Sequence, residues 1–158
     1  MQNFQEFLEN SLQQNIKKLV PLTGGASADI NRIILENNNE LIVRRSLSKE
    51  QSVMAVPKKL EAKIQRIVRS NDAPVPEIIF EFSEDEDIGE GYVMEAIPGE
   101  TIPRKILRDD KYKNVRSKLS FEIGRSLATI HQTKLDELTD LNSVTFEESL
   151  KKLYQVYS

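Results

Sequence analysis

Leu22-Thr23-Gly24-Gly25-Ala26-Ser27 lies between two extended apolar runs: Lys18-Leu19-Val20-Pro21-Leu22 before it and Ile30-Asn31-Arg32-Ile33-Ile34-Leu35 after it. The pattern predicts two strands joined by a tight turn with two adjacent glycines. Glycine has no Cβ, so it accepts positive φ and lets backbone N–H groups approach a ligand closely. Successive N–H groups in such a turn make a concave anion site, with phosphate as the usual guest. An ordinary hairpin with glycine in its turn satisfies the same pattern. The flanking sequence has to separate these two readings.

Working outward, Phe4, Phe7, Leu8 and Leu12 recur at helical spacing and predict a short amphipathic helix ahead of the first strand. Beyond the second strand, Glu36-Asn37-Asn38-Asn39 is a turn signal, because asparagine tolerates left-handed backbone and forms Asx turns. Glu40-Leu41-Ile42-Val43-Arg44-Arg45 reads as a third strand, antiparallel to the second. Ser46 to Val56 is polar and mixed, and reads as a loop or a loose helix.

Pro57 suits the first position of a helix, and Leu60, Ile64, Ile67 and Val68 then mark one apolar face ending near Ser70-Asn71-Asp72. Ala73-Pro74-Val75-Pro76 is extended, since each proline disfavours helix in the residue before it. It leads into a strand, Glu77 to Phe82. The acidic stretch from Ser83 to Gly91 reads as a solvated hairpin tip, because its carboxylates lack the spacing of an EF-hand calcium loop. Tyr92-Val93-Met94-Glu95-Ala96 is a fifth strand, halted by Pro98-Gly99. Val115, Leu119, Ile123 and Leu127, with Phe121 and Ile130, predict one long helix from about Asp110 to Gln132. Leu135 to Val144 reads as an extended linker, and Phe146, Leu150, Leu153 and Tyr154 as a last amphipathic helix. Five strands with one helix between the third and fourth give an α+β layout, mostly antiparallel.

The 158 residues suffice for one domain with a real core, or for one small domain plus an appendage. At 39% hydrophobic and 30% charged, with a net charge of −3, the chain reads as folded and heavily solvated. It carries no basic block to draw nucleic acid or a membrane surface. With no cysteine, disulfides and thiolate metal sites are excluded, and one histidine makes a histidine-rich metal site impossible. No apolar run approaches the roughly 18 residues of a membrane span. The N-terminus lacks a signal-peptide pattern, so a cytoplasmic location is the expectation.

Two charged positions stand out. On the third strand, Leu41 and Val43 share one face, and Ile42 and Arg44 the other. Glu61 in the following helix lies only about 20° from Val68 around the axis. It therefore sits at the margin of the buried face, where a carboxylate needs a partner. A basic side chain on the strand beneath would supply one. Alternatively Glu61 leans to water or pairs with Lys58 on its own helix.

Taken together, these residues resemble the aminoglycoside phosphotransferase and choline kinase branch of the protein-kinase-like fold. Leu22 to Ser27 is similar to that branch's Gly-Gly-x-Ser turn, and Leu41-Ile42-Val43-Arg44-Arg45 to its Val-Leu-Arg-Arg strand. Ala73-Pro74-Val75-Pro76 is similar to its Val-Pro-Val-Pro entry to strand four. Tyr92 to Gly99 resembles its Tyr-Val-Met-Glu hinge, and Leu127-Ala128-Thr129-Ile130-His131 its Leu-Ala-x-Leu-His helix end. The likeness spans about Leu19 to Gln132.

The resemblance implies a kinase-like nucleotide-binding N-terminal lobe over residues 1–97. Residues 98–158 would be a hinge and the first helices of a truncated C-terminal lobe. It implies ATP as the cofactor, with Gly24, Gly25, Ala26 and Ser27 over the phosphates. Arg44 would pair with the α/β-phosphates and with Glu61, in the place of the kinase strand-three lysine. Glu95 to Ile97 would meet adenine through the backbone, with Val93 and Met94 lining its pocket.

The family's His-Gly-Asp loop, the asparagine five residues on, and its later metal-binding Asp have no counterpart in the sequence. His131 is followed by Gln132 and Thr133 and reads as structural. No catalytic residue and no Mg²⁺ ligand is therefore assigned, although Mg²⁺ is expected in the complete family enzyme. The implied function is the ATP-binding portion of a small-molecule kinase that phosphorylates a hydroxyl acceptor, inactive alone. The alternatives are a non-catalytic nucleotide- or partner-binding module and a purely structural domain. Without a complete C-terminal lobe, exposed helix faces through which the chain could self-associate are expected.

Overall fold

The computed structural model describes residues 3–22, 29–47, 56–83 and 87–134, and single positions Leu138, Glu147, Glu148, Leu150, Lys151 and Tyr154 beyond. Helix α1 (Phe4–Leu12) precedes strands β1 (Ile16–Pro21), β2 (Asp29–Leu35) and β3 (Glu40–Ser46). Helix α2 (Lys58–Ser70) follows, then β4 (Ile78–Ser83) and β5 (Glu90–Glu95). The described chain continues with α3 (Pro103–Arg108), a 3₁₀ turn (Asp110–Tyr112) and α4 (Lys113–His131). The five strands form one antiparallel sheet in the order β1-β2-β3-β5-β4. The α+β architecture expected from the sequence is the one observed.

Local chemistry explains the main turns. Between β2 and β3, Asn38 adopts φ 64°, and Asn39 N–H donates to Asn37 Oδ1 at 2.9 Å, closing an Asx turn. Between β4 and β5 the acidic stretch is described at 87–89, where Gly89 has φ 78°; residues 84–86 lie outside the described residues. So do 48–55 of the segment after β3, and most of the linker and last helix.

The two faces of the sheet are packed differently. On one face α1 lies over a core of Leu8, Ile16, Ile33, Leu35, Val43, Phe82, Ile88 and Val93. On the other, α2 covers only the β4–β5 side, through Ala62 against Ile78 and Tyr92. Lys58, Ala62, Ile67 and Val68 are the buried residues of α2, while Leu60 and Ile64 are half-buried. Pro57 caps α2 from outside instead of opening it. α2 reaches β3 only through Glu61 and Arg44, so among the described residues no helix covers β1 and β2 on this face.

The long helix after the hinge differs from expectation at its start. Its first residues, Asp110–Tyr112, form a 3₁₀ turn, and α4 begins at Lys113. The short α3 ahead of it begins on Pro103, a residue pre-shaped for a helix start. It spans one and a half turns, too few for an apolar period to be visible. Arg116 joins the two helices, donating to the carbonyls of Ile106 at 3.1 Å and Asp109 at 2.9 Å. α4 buries none of its residues, and Phe121, Ile123 and Leu127 are exposed. No helix of the described residues is long and apolar enough to cross a membrane.

Candidate functional site

In an antiparallel sheet, residues directly opposite one another share a face. The register therefore lays transverse rows on the α2 face. One row runs Val20, Arg32, Ile42, Met94 and Ile78. The next runs Ile30, Arg44, Tyr92 and Glu81. Two residues along a strand separate the rows by about 6.6–6.8 Å.

A cleft of about 810 Å³ opens against the uncovered part of this face. Pro21 and Leu22 at the end of β1, Arg32 on β2, Glu40 and Ile42 on β3, and the 96–99 segment after β5 form its walls. That volume lies in the range of small-molecule sites, and the lining mixes apolar Pro21, Leu22, Ile42 and Ile97 with polar Arg32, Glu40 and Thr101. Leu22 N–H bonds to Ile30 O at 2.8 Å, carrying the β1–β2 pairing one residue beyond Pro21.

Beside the cleft, on the Arg44 row, four side chains converge. Arg44 Nε donates to Glu61 Oε2 at 2.9 Å, and Tyr92 Oη donates to the same oxygen at 3.2 Å. Lys58 Nζ donates to Glu61 Oε1 at 2.6 Å. The two partners weighed for Glu61 from sequence are thus both used, one per carboxylate oxygen. Lys58 is itself buried, and its backbone N–H is taken by Glu90 Oε1 at 2.9 Å. Burial pushes the Glu61 carboxyl up, but the hydrogen bonds from Lys58 and Arg44 outweigh it and hold the group below its usual value. Burial, and then the Glu61 charge, push the Tyr92 phenol up to about 12. Arg44 reaches Glu61 edge-on through Nε, and among the described residues its terminal Nη groups take no hydrogen bond.

A family model for the phosphotransferase enzyme family matches residues 18–152 of the 158. The chain belongs to the phosphotransferase enzyme family. Neither the curated proteins nor the solved structures give a match. The matched stretch begins within β1, takes in β2 to β5 and α2 to α4, and leaves α1 outside.

Within this phosphotransferase chain, the residues singled out from sequence fall into three groups. Gly24, Gly25, Ala26 and Ser27 lie outside the described residues. Arg44 and Glu61 are brought together as an ion pair, and Ile97 lines the cleft. Val93 does not: it is fully buried on the α1 face, opposite Val43 in the core. Met94, its neighbour, is on the cleft face, where its sulfur accepts from Gln65 Nε2 at 3.8 Å. Two successive strand residues cannot serve one pocket, because their side chains leave opposite faces. Glu95 is exposed, and its N–H donates to Glu77 O at 2.9 Å. Among the described residues the N–H of Ile97 makes no hydrogen bond.

Tyr92, Arg32, Glu40 and Ile42 were not singled out from sequence. Their signal is the pairing register, which places Tyr92 opposite Arg44, and Arg32 opposite Ile42. Among the described residues no group of three or more His, Asp or Glu side chains could hold a metal ion.

Proposed function

We propose that this chain binds ATP as the nucleotide-holding part of a small-molecule phosphotransferase. The observation that carries the reading is the Arg44–Glu61 pair at 2.9 Å, held by α2 beside an open cleft of about 810 Å³. Glu61 fixes the guanidinium through Nε and leaves the Nη donors for phosphate oxygens, the acceptors that an arginine fork suits best. Gly24, Gly25, Ala26 and Ser27 would cover the phosphates, and the backbone of Glu95 to Ile97 would meet adenine, the Glu95 carbonyl accepting and the Ile97 N–H donating. Phosphoryl transfer also needs a carboxylate that orients the acceptor hydroxyl, and groups that hold Mg²⁺. The sequence contains no His-Gly-Asp loop to supply the first. The 158 residues by themselves thus bind nucleotide without transferring phosphate.

Titration calorimetry with ATP tests this. Arg44→Ala is expected to weaken ATP binding by about 1.5–3 kcal/mol, the size of a hydrogen bond to a charged group. Equal affinity of the two proteins sinks the assignment of Arg44. Detectable phosphorylation of any hydroxyl compound by the pure chain sinks the claim that it is inactive alone. If no nucleotide binds, a structural or partner-binding domain is the better reading.

A further inference from the structure

Two charged residues line the cleft, Arg32 and Glu40. Arg32 lies directly opposite Ile42 and shares its face, so its side chain leaves the sheet into the cleft. Arg32 Nη1 stands 3.7 Å from Glu40 Oε2, and both side chains remain nearly half-exposed, at 44% and 45%. A solvated pair there is not needed to fill a core. As a second phosphate anchor Arg32 is disfavoured, because a phosphate drawn to it would also meet the Glu40 carboxylate beside it. It also lies one row further than Arg44 from the Leu22–Ile30 end of the β1–β2 pair. What the pair leaves available is the flat face of a guanidinium, weakly hydrated and able to stack on a planar ring.

We propose that Arg32 is the base-stacking residue of this cleft, and that Glu40 is the positioning residue holding its guanidinium over the ring. The proposal rests on the nucleotide reading above and deepens it. The cleft selects ligands that carry an aromatic base, and it does so through the face of Arg32 and not through its charge.

The test uses the whole chain, with ATP and inorganic tripolyphosphate as ligands at one fixed ionic strength, and three proteins: wild type, Arg32→Ala and Arg32→Lys. Stacking of one base predicts a loss of ATP affinity of roughly fivefold or more in Arg32→Ala. Tripolyphosphate affinity should stay unchanged. Arg32→Lys keeps the charge and loses the plane, so it should bind ATP as poorly as Arg32→Ala. Where tripolyphosphate binds too weakly to measure, the lysine variant decides. Equal weakening of both ligands, restoration by lysine, or unchanged ATP affinity in Arg32→Ala overturns the proposal while the nucleotide reading stands. A wild type that binds no ATP overturns that reading, and this proposal with it. Arg32 is half-exposed, so a thermal melt of each variant should match wild type.

Discussion

Arg44 and Tyr92 face each other across β3 and β5, and both donate to a single atom, Oε2 of Glu61, at 2.9 and 3.2 Å. The carboxylate is therefore a hub. It ties α2 to two strands, while its second oxygen ties it to Lys58 on its own helix. The same hub holds the guanidinium that we assign to phosphate, so stability and binding are coupled through one side chain.

Glu61→Gln should lower stability by about 1–3 kcal/mol, because two part-buried cations lose their shared acceptor charge. The pH dependence follows from the lowered carboxyl of Glu61. A carboxyl held below its unfolded value of 4.5 contributes stability that is present above that value and is lost as pH falls through the folded value. Urea unfolding from neutral pH down through the carboxylate range should show this as a falling limb in wild type. That limb should be shallower in Glu61→Gln. Parallel limbs would mean that Glu61 is not the group that titrates.

Tyr92→Phe removes the second donor to the hub and should cost about 0.5–1.5 kcal/mol in urea unfolding. Alkaline titration gives an independent check. With its phenol raised from 10.0 to about 12, Tyr92 contributes stability that is fully present below 10 and lost as pH rises through 12. Followed by tyrosinate absorbance, the late step among the four tyrosines of the chain should vanish in Tyr92→Phe.

The legibility of this site depended on the range of the signal. Arg44 and Glu61 could be read because each is marked within its own element, by strand alternation and by angle around a helix. The joining of β3 to β5, and not to β4, pairs residues nearly fifty positions apart, and no local pattern carries it. Tyr92 therefore escaped notice, as did Arg32, whose pairing with Ile42 matters only once the open side of the sheet is known. Val93 is a different case. Alternation already separates it from Met94, and applying the period of two along β5 would have put it in the core beforehand. α3 left no trace because six residues carry no measurable period.

Gly91→Ala should disturb the binding strand from behind. A Cβ at Gly91 would stand 2.5 Å from Arg44 O, 2.6 Å from Phe82 Cζ and 2.9 Å from Arg45 Cβ. Backbone on β3 cannot step aside as a flexible side-chain end can, so β3 and β5 must part locally. Overpacking of this kind costs about 1–3 kcal/mol. The displaced strand carries Arg44, so ATP affinity should fall together with the melting temperature. A variant with wild-type stability would show that the β3–β5 approach is softer than these distances imply.

α1 lies outside the matched stretch, yet it completes the core of the sheet. Leu8 is fully buried against that core, and the guanidinium carbon of Arg45 lies 3.6 Å above the Phe4 ring while its Nε bonds Asp29 Oδ2 at 2.8 Å. Helix, strand three and the first residue of β2 are thus linked in one chain of contacts. Leu8→Ala should lower unfolding free energy by about 2–5 kcal/mol, the range for emptying a buried leucine site. Phe4→Leu keeps most of the apolar volume but removes the ring beneath the cation and its tilted contact with Phe82, and should lose about 0.5–2 kcal/mol. Urea unfolding of the two variants separates the burial of Leu8 from the ring contacts of Phe4. If both behave like wild type, α1 is not part of the cooperative unit, and the sheet is stable on its remaining contacts.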